Sequence, residues 1–274
     1  MQILDLARPA IRLTDDPDGR HALEAEHAFL FEHLDRAWSV KHLKDSAADV
    51  DARLAGVERM ERAVREGAER LGALGLATDG LQVILLSCLR GPSGHAFLHE
   101  GRPTVWIDCD AHPTDAMANV FAVHELAHGL HYAAVPTFDR VDAEIGQDPL
   151  RQVWAEGMAT WLTERALSID AGQALWADVI TLEQRVEWMR RCRIEQPILA
   201  YMVLSADPKV FGYGGPDAAP VENRGGYWLG LELVRTAGLP LEELMEPAPE
   251  DWRELIGYRL EAILHGELRL GDAA

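Results

Sequence analysis

The segment His124-Glu125-Leu126-Ala127-His128 places two imidazoles and a carboxylate where a metal-dependent hydrolase would need them. Residues four apart lie one above the other on a helix face, so both histidines can reach one ion at about 2.0–2.1 Å. Glu125 sits about 100° round the helix from the first histidine and does not compete for the ion. It is free to hold an attacking water and take its proton. Three fixed residues also occur by accident, so the context has to argue for them. Pro113-Thr114-Asp115 supplies an N-cap and a first-turn acid. Apolar residues follow at Met117, Val120, Phe121, Val123 and Leu126, and Pro136 closes the run. The spacing therefore predicts a helix over roughly residues 114–133. Burying two unpaired imidazoles on an apolar helix is costly, which favours a shared ligand over a satisfied core pair.

Two histidines leave a zinc coordination sphere incomplete. His131 lies about 10 Å along the helix axis from His124, too far to share its ion. A third histidine six residues after the second is also missing, because position 134 is Ala. A cysteine ligand is possible in principle, but Cys88, in Ser87-Cys88-Leu89-Arg90, lacks the pattern that surrounds such a ligand in peptide deformylases. Glu156 is the stronger candidate. It stands in Val153-Trp154-Ala155-Glu156-Gly157-Met158-Ala159-Thr160-Trp161, a helical stretch after Pro149 that is apolar on most sides. An acid buried in such a run costs several kcal/mol unless a cation compensates it. The plain alternative is an exposed Glu on a solvated side. Gly157 favours the first reading: an interior helix glycine costs about 1 kcal/mol and marks close packing, here expected against the histidine helix.

These motifs together resemble the gluzincin pattern of zinc metallopeptidases, in which a Glu on the following helix is the third ligand, often followed by Gly and a small residue. The likeness is greatest to predicted zinc-dependent proteases that also carry a Gly-Tyr-x-x-Gly segment, matched here by Gly226-Tyr227-Trp228-Leu229-Gly230, and it spans roughly residues 80–238. A departure is the interval of 27 residues between His128 and Glu156, longer than in thermolysin-like members. The resemblance implies Zn²⁺ held by His124, His128 and Glu156, with Glu125 as general base. It also implies an α+β, mostly helical fold of zincin type, with a small antiparallel sheet beside a zinc-binding helix pair. Tyr227 is the first choice to stabilise the oxyanion, with Tyr213 and His131 as runners-up, and Thr160 is a candidate partner of Glu156. The implied activity is peptide hydrolysis. The alternatives are a zinc-binding module without turnover and a hydrolase of non-peptide amides or esters. Glu125 has no role in a purely structural site, and structural zinc sites are usually closed by Cys and His.

The elements that must position these residues are legible in part. Residues 21–72 carry two amphipathic faces, one marked by His27, Leu30, Phe31, Leu34 and Trp38, the other by Val50, Leu54, Val57, Met60, Val64, Ala68 and Leu71. They predict an antiparallel helix pair within an N-terminal segment 1–76, either a small subdomain or part of the same fold as a zincin-like catalytic domain 77–274. Strands are expected at 81–86 and 103–108, with Gly91-Pro92-Ser93-Gly94 as a loop between them. An exposed edge within 81–109 would hold an extended peptide substrate. Helical runs are expected near 171–192, 225–237 and 249–264.

Composition agrees with an enzyme core. The chain has 274 residues, 48% of them apolar, and no stretch of 18 uninterrupted apolar residues. Its start has no secretory hydrophobic region, so a cytoplasmic location and no membrane partner are expected. A net charge of -19 argues against nucleic acid as a partner. The exception, Arg190-Arg191-Cys192-Arg193, reads either as a receptor for a substrate anion or, more simply, as a solvated helix end. Cys88, Cys109 and Cys192 have neither zinc-knuckle spacing nor an even count, and are expected to be reduced.

Overall fold

The computed structural model describes residues 1–44, 49–87, 89, 93–139, 148–212, 214, 218–245 and 249–271. Two compact units emerge, Met1–Ala133 and Ala134–Ala274. The chain is mostly helical, and no helix among the described residues is long and apolar enough to cross a membrane.

The first unit is built on a four-stranded sheet. Its strands are β1 (Gln2–Asp5), β2 (Gln82–Leu86), β3 (Gly94–His99) and β4 (Arg102–Asp108), in the order β1-β2-β4-β3. β1 pairs with β2 and β2 with β4 in parallel, whereas β3 runs antiparallel to β4. The sheet is therefore mixed, which corrects the antiparallel sheet expected from the sequence. The reason is the connections. Parallel neighbours need long crossovers, and here α1 (Ala7–Arg12), α2 (Pro17–Glu26), α3 (Ala28–Trp38) and α4 (Val50–Ala73) lie between β1 and β2. Residues 1–76 thus give their strand to the same sheet as β2.

β2 is buried along nearly its whole length because helices cover both faces. Ile84, Leu86 and Trp106 join Leu30, Phe31 and Leu34 of α3 in one apolar cluster. Val83 and Val105, of opposite parity, are buried on the other face. β3 occupies the stretch that begins in the expected loop. Its connection to β4 is a two-residue turn, Glu100-Gly101, with φ of +51° and +78°, the backbone sign that matches the twist of a hairpin.

The second unit is helical: α6 (Pro149–Leu167), α7 (Ala171–Trp176), α8 (Leu182–Leu204), α9 (Gly225–Ala237), α10 (Leu241–Met245) and α11 (Pro249–Leu264). Before it comes α5 (Asp115–Ala134), the histidine helix. The run expected at 171–192 is interrupted after Trp176, and Thr181 starts α8 with a capping box closed by Gln184. Pro197 lies inside α8 and cannot donate to the Arg193 carbonyl. The Gln196 amide fills that gap at 2.7 Å while its oxygen accepts the Leu270 N–H at 2.8 Å.

Candidate metal centre

α5 forms where its caps and apolar content dictate. The Met117 N–H donates to Thr114 Oγ1 at 3.1 Å, so Thr114 caps the first turn as the sequence indicated. The second half of the helix is buried from Glu125 to Tyr132. It is seated against its own unit by small residues. A Cβ on Gly129 would stand 3.0 Å from Val105 Cγ2 and 3.1 Å from Leu81 Cδ2, and one on Gly67 of α4 would stand 2.9 Å from Val123 Cγ2. Near the other end, Phe121 stacks on His112 at 3.9 Å between ring centroids.

This seating presents the motif. His128 is 5% exposed, Glu125 7%, and His124 half-buried. The Nε2 atoms of His124 and His128 approach to 3.1 Å, with ring planes at 84°. Two donors on a tetrahedral ion with arms of 2.0–2.1 Å stand about 3.3 Å apart. The pair therefore fits one ion with a shift of a few tenths of an ångström. The same approach suits an N–H···N hydrogen bond between neutral imidazoles.

α6 starts at Asp148, whose carboxylate accepts from the Leu150 N–H at 3.2 Å, with Pro149 in its first turn. Val153, Trp154, Ala155, Gly157, Met158, Ala159 and Thr160 are buried, and Glu156 is half-buried among them. Two imidazoles and a carboxylate are a donor set zinc accepts with a coordination position to spare.

Gly157 marks a close approach, as the sequence indicated, but the expected partner is corrected. A Cβ on Gly157 would stand 2.3 Å from the carbonyl of Gly230 in α9, and one on Gly230 would stand 2.0 Å from the Val153 oxygen. The helices α6 and α9 thus touch backbone to backbone. The Glu156-Gly157 and Gly226-Tyr227-Trp228-Leu229-Gly230 motifs meet at this crossing. Glu156 is adjacent to it and Tyr227 is one turn before it. Tyr227 is half-buried, its ring edge-on to Phe211 at 6.2 Å. Farther along the pair, Glu164 accepts from Arg235, which also holds Glu232 at 2.6 Å. Burial pushes the Glu164 carboxyl up to about 7 against the pull of Arg235.

Other expected residues fall elsewhere. The Thr160 hydroxyl donates to the Glu156 backbone carbonyl at 2.8 Å, an ordinary helix back-bond. His131 is buried two turns along α5 from His124. Cys88 and Tyr213 lie outside the described residues. Cys109 and Cys192 are free and buried, and burial raises both thiols well above their usual range. The arginine cluster sits in the middle of α8 rather than at its end. Arg190 grips Glu187 through two bonds of 2.7 Å, and Arg191 reaches Glu195 at 3.3 Å.

A partly buried polar network has no counterpart among the residues singled out from the sequence. Arg53 of α4 donates to Ser87 Oγ at 2.7 Å, and that hydroxyl donates to Asp110 at 2.7 Å. Beside it, Asp108 accepts from the Asp110 N–H at 3.1 Å, yet desolvation raises its carboxyl to about 7. Its only signal was the spacing Asp108-Cys109-Asp110 at a strand end. Comparisons with protein-family models, with curated proteins and with solved structures give no match.

Proposed function

We propose that this chain is a zinc-dependent peptidase of gluzincin type, with a zincin-like catalytic fold. The observation that carries the reading is the His124–His128 pair of α5, its imidazole nitrogens 3.1 Å apart; Glu156 is assigned as the third ligand. Glu125, buried beside the first ligand and not needed to hold the ion, gives the site a reason to be more than structural.

Zinc, when bound, supplies Lewis acidity at the scissile carbonyl and makes a neighbouring water far easier to deprotonate. The chain's own residues do the rest. His124, His128 and Glu156 hold the ion. Glu125 removes a proton from the attacking water as its oxygen bonds to the carbonyl carbon, then returns that proton to the nitrogen as the C–N bond breaks. Tyr227 is assigned as hydrogen-bond donor to the oxyanion. The substrate is an extended peptide added along β3, which ends the sheet order among the described residues and packs its Gly94 near Phe121 of α5.

Metal analysis and a peptide-library assay test the reading together. Wild type should carry zinc at this site, and Glu156→Ala should lose it. Glu125→Gln should keep the metal while turnover falls about 10²- to 10⁴-fold. Zinc retention in Glu156→Ala would remove that ligand, and full turnover in Glu125→Gln would sink the mechanism. Turnover of esters or simple amides alone would move the substrate class away from peptides.

A further inference from the structure

A second cluster of metal-ligating side chains lies in the first unit and owes nothing to α5. His21 and Glu24 stand three apart on α2, hence on one face of that helix, and His42 follows α3. The ligand atoms of all three lie within 4.8 Å of one another. His42 Nδ1 is 2.8 Å from Glu24 Oε2, and the His21 and His42 rings are 5.5 Å apart at 70°. Glu24 is only 7% exposed, and its other oxygen accepts the Leu43 N–H at 2.8 Å. The carboxylate is thereby fixed with Oε2 toward the imidazoles.

We propose that His21, Glu24 and His42 form a second divalent transition-metal site, of which zinc is the natural probe. Two imidazoles and one carboxylate suit zinc, cobalt or nickel, and disfavour calcium and magnesium, which want oxygen ligands. The 2.8 Å between His42 and Glu24 is close to the separation of two donors on one ion, so binding requires little rearrangement. A simple Glu24–His42 ion pair would use only two of the three groups. The site borders an open surface cavity of about 390 Å³ lined also by Glu32, Asp35 and Lys41, with Lys41 3.7 Å from Asp35, so Glu32 is the further carboxylate that favours a cation there. A bound ion would cross-link α2 to the segment that follows α3. The assignment is independent of the proposed peptidase function.

The test uses the full chain carrying His124→Ala and His128→Ala, stripped with chelator and titrated with zinc against a chromogenic competitor. One zinc per chain is expected, with affinity falling at least tenfold on adding His21→Ala or His42→Ala. Cobalt should give the intense visible bands of a four-coordinate ion, lost in the same variants. The mirror experiment guards against misfolding of the α5 variant. In the otherwise wild-type chain, His21→Ala with His42→Ala should lower zinc stoichiometry by one and leave peptide turnover intact. Glu24→Gln, which keeps an oxygen to accept the Leu43 N–H, should weaken binding without unfolding α2. No zinc in the α5 variant, or affinity unchanged by the α2 and His42 substitutions, would overturn the proposal. Two zincs in wild type and one in each set of variants would support both sites. A single zinc lost only with His124 and His128 would reject this site and leave the first standing.

Discussion

His128 and Glu156 are each followed by a glycine, and the two glycines meet different atoms. Gly129 faces the methyl groups of Val105 and Leu81 at 3.0–3.1 Å, whereas Gly157 faces the Gly230 backbone at 2.3 Å, measured from the Cβ each would carry. Methyl groups on side chains can turn or shift by a few tenths of an ångström. A carbonyl locked in a neighbouring helix cannot, because its position is set by a whole ladder of hydrogen bonds. The histidine helix is therefore held by a yielding contact and the Glu156 helix by an unyielding one. The lesson is that a glycine beside a site residue has no fixed meaning until its opposing atoms are known.

One added methyl group on each side separates the two contacts. Gly157→Ala and Gly230→Ala should each cost about 3 kcal/mol or more by overpacking, seen in denaturant midpoints, with the α6–α9 amides losing hydrogen-exchange protection first. A loss below 1 kcal/mol would mean that the helices slide apart easily and that the crossing does not fix Glu156. A pH series adds a second contrast, since both units hold a carboxyl raised to about 7. Desolvation is the largest cause at both, opposed mainly by the cation Arg235 at Glu164 and by the Asp110 N–H at Asp108. A raised carboxyl pKa means that the folded chain binds more protons. Stability should therefore fall as pH rises from about 4 to about 7, and the loss should persist above that. Asp108→Asn keeps an acceptor for the Asp110 N–H, so it should flatten this slope and gain on the order of 2 kcal/mol at pH 8. An unchanged slope would place the pH dependence elsewhere.

Gly129→Ala should cost only about 1 kcal/mol, with zinc content unchanged; a loss as large as that of Gly157→Ala would erase the distinction. The smallest effect is expected from Thr160→Val, about 0.5 kcal/mol, because its hydroxyl serves a backbone carbonyl that already has a helical partner. A tenfold drop in zinc affinity there would restore Thr160 as a partner of the Glu156 carboxylate.

Much of this was legible in local pattern. α5 begins at its threonine cap, α6 at Asp148-Pro149, and β2 and β4 lie within a residue of the expected strands, because caps, prolines and apolar runs act over a few residues. β3 was hidden: Gly94-His95-Ala96-Phe97-Leu98-His99 does not alternate, and its partner β4 supplies the pairing. The Glu100-Gly101 turn was the signal that could have revealed it. The partner of Gly157 was unreadable in principle, since nothing local distinguishes which distant helix a glycine will touch. The Arg53–Ser87–Asp110 network was hidden for the same reason, its members drawn from three separate elements.

The parallel pairing of Gln2 with Gln82 has a temporal consequence. At about 5–20 residues per second of synthesis, β1 emerges many seconds before its partner exists. The β3–β4 hairpin closes over a two-residue turn and can form at once, while β1 must wait for everything between to be made and then close a long loop. Of the four strands described, β1 thus waits longest for its partner. Slow assembly of this unit should be felt at its N-terminal edge.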